Sequence, residues 1–490
     1  MITVQASDFI RILPQEILSA FAILVMVFEP FLPSSRKVVL GWFSLLGVVA
    51  AGAAAVRTSY SLGPAFNASI AADPFSIYFI ALFLLVAALC LLGSFNYLQR
   101  DNINHGEFYA LILMGTVGMC FMAASTELIM IFLGLEISSL STYVLAGFKR
   151  HDGLSNEASL KYFLLGSFAT AFFLYGIAFV YGLTGTTNLM TLSERLSRTG
   201  TGGTPLLWVA IVLMFIGLGF KVSTAPFHVW TPDVYQGAPA PVTAFLSVGP
   251  KAAAFAVILR IFLGAFHAVG SVSFQMLWLS AILTMVVGNL AALWQSNVKR
   301  LLAYSAIAHA GYVLVGIAAG SAEGVSAVLF YLTVYALMNV GAFILIAPIA
   351  GTGERALRVE DYTGLGYTRP GVAACLTVFM LSLGGIPTTA GFLGKFYLFR
   401  AAIHAHLIGL VIVAVLTSVV SVYYYLRLVV VMYMREGQPQ ATSEPLPLAL
   451  RVALATSVIG IFVLGLFPLL LKKKGEAEAS PRHTKLAQVR

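Results

Sequence analysis

Apolar residues in this chain come in long, nearly unbroken blocks. They show neither the three-and-four spacing of a surface helix nor the alternation of a half-buried strand. Blocks near 11–31, 37–56, 75–98, 107–124, 127–147, 160–183, 206–224, 241–263, 274–294, 300–319, 324–350, 371–400, 405–434 and 449–471 approach or exceed the length that carries a helix across a bilayer, about 20 residues. The connections are short and hold turn chemistry such as Phe31-Leu32-Pro33-Ser34 and Gly202-Gly203-Thr204-Pro205. No connection has room for an extramembrane catalytic domain. The pattern predicts an all-α polytopic membrane protein of about fourteen transmembrane helices.

Two of the blocks are interrupted. One reads Gly219-Phe220-Lys221-Val222-Ser223-Thr224-Ala225-Pro226 and runs on to Pro232, Pro239 and Pro241. The other reads Gly384-Gly385-Ile386-Pro387-Thr388-Thr389-Ala390-Gly391-Phe392-Leu393-Gly394-Lys395. Proline removes an amide hydrogen and glycine adds slack, so both helices are expected to break near mid-depth. Pro226 and Pro387 are 161 residues apart, and each break falls in the fourth span of a five-span block. This predicts two copies of one five-helix unit, at 107–263 and 274–434. A three-helix segment (1–106) precedes them, and a last helix (449–471) and a basic tail (472–490) follow. An odd number of spans per copy makes the second copy inverted. Inverted repeats with matching broken helices mark a transporter with its ion path near the midplane.

Composition agrees with a lipid solvent. Of 490 residues, 59% are hydrophobic and 10% are charged, against about 25% charged in a soluble protein. Mean hydropathy is +0.91. The net charge of +9 includes six basic residues in the tail, and most of the others stand singly or in pairs between apolar blocks. That excludes a basic groove for nucleic acid. Counting Lys and Arg in alternate connections gives thirteen on one side and six on the other, before the tail is added. The richer side is read as cytoplasmic, which leaves both termini opposite the cytoplasm, although the basic tail runs against the count. The first positive residue is Arg11, so the first block reads as a retained span, not a cleaved signal peptide. Cys90, Cys120 and Cys375 lie far apart in apolar blocks and read as small core residues.

Four ionisable residues sit inside the predicted spans: Glu136, Lys221, Lys251 and Lys395. Each charge costs at least about 2.5–3.5 kcal/mol at the bilayer centre on insertion scales. Burial disfavours the charged form of both residue types, so protonation responds to whether an opposite charge is near. A glutamate beside a lysine holds it charged, and separating them releases its proton. A row of such groups bridged by water passes protons without a redox cofactor. Ser138, Ser139, Ser141, Thr142 and Tyr143 after Glu136, and Ser223 and Thr224 after Lys221, suit a wet path. His228 and His309 are candidate relays. The bland alternatives are that Lys221 or Lys395 binds carbonyls freed by its broken helix, and that His309 is a hydrogen-bonded core residue. Arg427, beside Tyr423, Tyr424 and Tyr425, reads as an interfacial anchor.

There is no P-loop for ATP, no facing histidine pair for a membrane haem and no GxGxxG opening a βαβ unit for NADH. Coupling energy must come through a partner protein or an ion gradient. No cofactor or metal site is expected in the chain itself.

The stretch Leu133-Gly134-Leu135-Glu136-Ile137-Ser138-Ser139-Leu140-Ser141-Thr142-Tyr143 resembles the glutamate helix of the antiporter-like subunits of respiratory complex I. The run from Gly219 through Lys221, Pro226 and His228 to Pro239 resembles the same family, as does Asn297-Val298-Lys299-Arg300-Leu301-Leu302-Ala303-Tyr304-Ser305-Ala306-Ile307-Ala308-His309-Ala310-Gly311-Tyr312. Within the family, Gly391-Phe392-Leu393-Gly394-Lys395-Phe396-Tyr397-Leu398-Phe399 is similar to the N-type branch. M-type relatives carry glutamate in place of Lys395, and L-type relatives are longer. The resemblance implies that Glu136 and Lys221 form a charge pair, that Lys251 is a central relay and that Lys395 is a terminal transfer group. It also implies A-, J-, K- and M-type membrane neighbours in a bacterial inner membrane, with both termini periplasmic. FMN, iron–sulfur clusters and quinone are then expected in partner subunits. The alternative is a subunit of a Na+/H+ antiporter of the same superfamily.

Overall fold

The computed structural model describes residues 4–33, 36–199, 204–267, 270–437 and 446–468. Its helices are α1 (Ala6–Arg11), α2 (Leu13–Phe28), α3 (Val38–Thr58), α4 (Pro74–Arg100), α5 (Gly106–Ala124), α6 (Leu128–Ala146), α7 (Gly153–Thr184), α8 (Leu189–Thr199), α9 (Pro205–Val222), α10 (Thr231–Gly237) and α11 (Ala240–Ile258). They continue with α12 (Gly270–Leu293), α13 (Val298–Ala318), α14 (Ala322–Ala350), α15 (Leu365–Thr368), α16 (Pro370–Gly384), α17 (Ala390–His404), α18 (Ile408–Met434) and α19 (Leu448–Leu466). A small antiparallel hairpin, β1 (Gly63–Ala65) with β2 (Ile70–Ala72), follows α3 and pairs Pro64 with Ala71.

Thirteen helices among the described residues are long and apolar enough to cross a membrane. The block at 371–400, expected to break near mid-depth, forms α16 and α17, two helices of 15 residues each. Gly, Pro and Thr at 385–389 divide it evenly. The other break is less even: α9 keeps 18 residues before it, and α10 has only seven after it. Each break holds a non-glycine residue in the left-handed region, Ser223 at φ 63° and Thr388 at φ 77°. Such backbone costs of order 1–3 kcal/mol and persists where the surroundings enforce it. The tail at 472–490 and the last residues of the 449–471 span lie outside the described residues.

Local chemistry explains where the helices start. Asp73 accepts from Ser76 N–H at 2.7 Å, and Pro74 opens α4. Glu127 accepts from Met130 N–H at 2.9 Å, and Asn297 from Arg300 N–H at 3.1 Å, so α6 and α13 also begin on capping side chains. The short elements α8 and α10 and the hairpin were not anticipated, because none is long enough to register in a 20-residue hydropathy reading.

The chain forms two compact units. The first holds residues 1–223 and 227–273, and the second holds residues 224–226 and 274–490. In the first unit, α5 and α6 come close because a Cβ on Gly118 would meet Ser138 N at 2.5 Å and Gly134 O at 2.6 Å. Small residues at a helix crossing allow this approach, and the crossing fixes the turn of α6 that carries Glu136. α11 is buried along its whole length. In the second unit, α13 and α14 are buried almost throughout. The outer faces of α7 and α18 expose Leu160, Phe168, Val419 and Tyr423, the composition expected of helix surface in contact with lipid or neighbouring helices.

Candidate functional site

In the first unit the charged groups meet aromatic rings. Lys221, 4% exposed at the end of α9, places its ammonium 5.0 Å from the ring centre of Tyr143, 5.1 Å from that of Tyr162 and 6.0 Å from that of Phe220. Tyr162 stacks on Trp230 at 4.5 Å, and Tyr143 meets Tyr162 edge-on at 4.7 Å. A cation over such faces is attracted by about 0.5–2 kcal/mol per ring. The Trp230 indole N–H donates to the Phe220 carbonyl at 3.0 Å, and Thr231 Oγ1 donates to Ser223 Oγ at 2.8 Å. The carbonyl at this break is therefore served by Trp230, which leaves Lys221 to the rings.

Glu136 lies within electrostatic reach of Lys221 without touching it. Its Oε1 is buried with no hydrogen-bond partner among the described residues. The same holds for Ser138 Oγ, Tyr143 Oη and His228 Nδ1. Lys251, 2% exposed and next to Pro250 inside α11, sits 5.3 Å from the Tyr235 ring centre, and its Nζ also has no hydrogen-bond partner. Buried polar atoms are almost always satisfied by protein or water. Five such atoms in one unit are a surplus of donors and acceptors that suits bound water.

The second unit is connected differently. Lys395, on the first turns of α17, donates to the Gly384 carbonyl at 3.1 Å and to Ser418 Oγ at 3.0 Å, with the Tyr312 ring centre at 5.0 Å. It does bind a carbonyl freed by its break, one of the two alternatives raised by the sequence. His309 on α13 is bonded at both ring nitrogens, Nδ1 to Tyr331 Oη at 2.5 Å and Nε2 to Tyr425 Oη at 3.1 Å. Tyr425 Oη in turn bonds Ser305 Oγ. Alongside, Tyr424 donates to Asn289 Oδ1 at 3.0 Å, and Asn289 Nδ2 donates to Tyr312 Oη at 3.2 Å. Tyr312 stands between the two basic groups, with its ring 5.7 Å from that of His309.

The structure thus brings Glu136 and Lys221 into one neighbourhood and gives Lys251 its own ring partner in the same unit. His228 lies half-buried on the turn between α9 and α10. His309 and Lys395 share Tyr312 in the second unit. Sequence reasoning named Tyr143, placed Tyr425 only beside an interfacial anchor, and missed Tyr162, Trp230, Tyr331 and Ser418. Polar side chains recurring in apolar helices were the available signal, but not their partners. Arg427 donates to the Gln295 carbonyl at 3.2 Å and faces Glu360 at 3.6 Å, consistent with an anchor. One cluster, Glu29, His105 and Glu107, has ligand atoms within 4.8 Å of one another. Glu29 is already paired there with Lys37, so the cluster is accounted for by ion pairing.

The sequence profile described as NADH:quinone oxidoreductase/Mrp antiporter, TM, matches residues 125–421. A relative from Trichlorobacter lovleyi called NADH-quinone oxidoreductase subunit N is 49% identical over 93% of this chain and 94% of its own. Among solved structures, a chain of respiratory complex I from Thermus thermophilus with bound aureothin is similar at a TM-score of 0.80 and 37% identity, over 94% of this chain and 98% of that one. A chain of the Mrp complex from Dietzia sp. shares the fold at a TM-score of 0.85 and 22% identity, over 97% of this chain and 99% of that one.

Proposed function

The chain belongs to the NADH-quinone oxidoreductase subunit N family, antiporter-like membrane subunits of respiratory complex I, and we propose that it translocates protons and has no redox centre of its own. It is a multi-pass membrane subunit of an enzyme complex, with other membrane subunits as partners. The finer reading rests on the chemistry of the chain for the proton groups and on the family resemblance for the partners, the membrane and the termini. Half-buried Glu136 and buried Lys221, Lys251 and Lys395 hold and pass protons, with His309 and His228 as further relays. FMN, iron–sulfur clusters and quinone belong to partner subunits. A-, J-, K- and M-type subunits are its neighbours, the membrane is the bacterial inner membrane and both termini are periplasmic.

The observation that carries this reading is the first unit's set of buried ionisable and hydroxyl groups without protein partners, arranged around an ammonium held by ring faces. A lysine that made only structural hydrogen bonds would not be left in this way. With Glu136 charged and near, the ammonium is stabilised. When that charge is neutralised or moves, desolvation favours release of the Lys221 proton to water among Ser138, Tyr143 and Lys251. In the second unit, a proton reaching one side of the His309 ring can be matched by loss from the other, because both nitrogens are bonded to hydroxyls.

The test is Lys221→Met in the assembled complex, in inverted membrane vesicles. Assembly is expected at the wild-type level, with proton pumping down about tenfold, equivalent to about 1.4 kcal/mol in the barrier. Glu136→Gln is expected to act in the same direction. Wild-type pumping by an assembled Lys221→Met complex would refute the reading. Cation-for-proton exchange by the purified chain, without quinone-reducing partners, would favour the Na+/H+ antiporter reading instead.

A further inference from the structure

A buried ion pair in the second unit has no part in the relay above. Lys299, 0% exposed on the first turn of α13, donates from Nζ to Glu354 Oε2 at 2.7 Å, and the Glu354 side chain is 7% exposed. Glu354 stands in the loop after α14 on left-handed backbone, φ 52°. Its neighbours Thr352, Gly353 and Arg355 are exposed, so water lies one residue away along the chain.

The loop does not need the pair to close. Val298 N–H donates to the Leu357 carbonyl at 2.7 Å, and Val359 N–H donates to the Ser296 carbonyl at 2.8 Å. A buried ion pair often adds no stability over well-packed apolar side chains, so holding the loop is not a sufficient account of it. A third group faces the pair. Tyr362 is fully buried, its hydroxyl has no hydrogen-bond partner among the described residues, and it lies within electrostatic reach of Glu354. Burial, then the charges of Asp361 and Glu354, push the Tyr362 hydroxyl up, so it stays protonated and able to donate. Ser305 lies six residues beyond Lys299 on α13, about 9 Å of helix rise. It opens the bonded series through Tyr425 to His309.

We propose that Lys299 and Glu354 are a proton-uptake pair that loads the Ser305–Tyr425–His309 series from the water at this loop. The proposal rests on the relay reading of His309. The Glu354 carboxylate takes one proton from water and becomes the neutral acid. With the Glu354 charge neutralised, the Lys299 ammonium gives one proton onward toward Ser305 and becomes the amine. Transfer of the proton from the Glu354 acid to the amine restores the pair, so one proton enters for each one passed on.

The experiment compares Glu354→Gln, the double variant Lys299→Met/Glu354→Met and Lys221→Met in the assembled complex. Quinone reduction and vesicle acidification are measured separately, and native gels report assembly. Glu354→Gln keeps the size and the hydrogen-bond acceptor and is expected to lower pumping at least threefold. The double variant removes both charges together and is expected to assemble yet stay as impaired. Recovery of pumping in the double variant would overturn the proposal, since it would mean that an orphaned charge was the only defect in the single variant. Failure of the double variant to assemble would overturn it too, by showing that the pair is structural. Normal pumping by Glu354→Gln beside impaired Lys221→Met would refute the uptake pair alone. Normal pumping by both would refute the relay reading beneath it.

Discussion

The two broken segments meet the same physical demand in opposite ways. At the first, the Phe220 carbonyl is served by the Trp230 indole, and Lys221 is left facing rings. At the second, Lys395 itself serves the Gly384 carbonyl and is held further by Ser418. The surroundings differ in the same sense. Around Lys221, buried polar atoms of Glu136, Ser138 and Tyr143 have no protein partner among the described residues, nor has Lys251 Nζ; near Lys395, His309 has a tyrosine hydroxyl at each nitrogen, and the unpartnered hydroxyl there is that of Tyr335, whose ring lies 5.2 Å from His309. A cation held by ring faces has no directional bond to break before it moves or loses its proton. A lysine bonded to a carbonyl and a hydroxyl does. The first unit is therefore suited to responding to a change in neighbouring charge, and the second to conducting along a series of fixed donors and acceptors.

The comparison breaks most severely if the second segment cannot form its turn. A Cβ on Gly391 would lie 1.8 Å from the Ser382 carbonyl oxygen, a backbone atom that cannot rotate away. Gly391→Ala is expected to remove most of the assembled subunit, as seen by immunoblot of the membrane fraction. Near-normal abundance would mean that the close approach of α16 and α17 is not required.

Next in size is His309→Leu, which removes both ring nitrogens from the Tyr331–His309–Tyr425 series. Pumping at intact assembly is expected to fall about tenfold, about 1.4 kcal/mol in the barrier. An assembled variant that pumps normally would return His309 to the role of a core residue.

The finest test pairs two hydroxyl deletions. Tyr331→Phe removes a group bonded to His309 at 2.5 Å and is expected to slow pumping several-fold. Tyr143→Phe keeps its ring beneath Lys221 and removes only a hydroxyl that lacks a protein partner, so the effect is expected to stay within about twofold. Equal effects at the two sites would erase the distinction between a site with unpartnered hydroxyls and a side-chain-bonded one.

Much of this was legible in one dimension. Hydropathy located every long span, because a helix in lipid satisfies its own backbone and needs only apolar side chains over a fixed length. Glycine and proline located both breaks, and a charge inside a span stands out against its neighbours. The even division at 385–389 and the uneven one after α9 were not legible, since each depends on which partner accepts the freed backbone groups. The roles of Lys221 and Lys395 could not be separated either, because both follow the same rule of a lysine beside a break.

By itself, then, the sequence determined the all-helical membrane architecture, the two interruptions and the four ionisable residues that interrupt apolar spans. These follow from local properties: side-chain transfer free energy, backbone freedom and the presence or absence of an amide hydrogen. Only the tertiary structure decided the partners. His309 meets Tyr331, 22 residues away, and Tyr425, 116 residues away. Lys299 meets Glu354 across 55 residues. Hydrogen bonds and ion pairs act over about 3 Å, and helix packing sets which distant side chains come within that range.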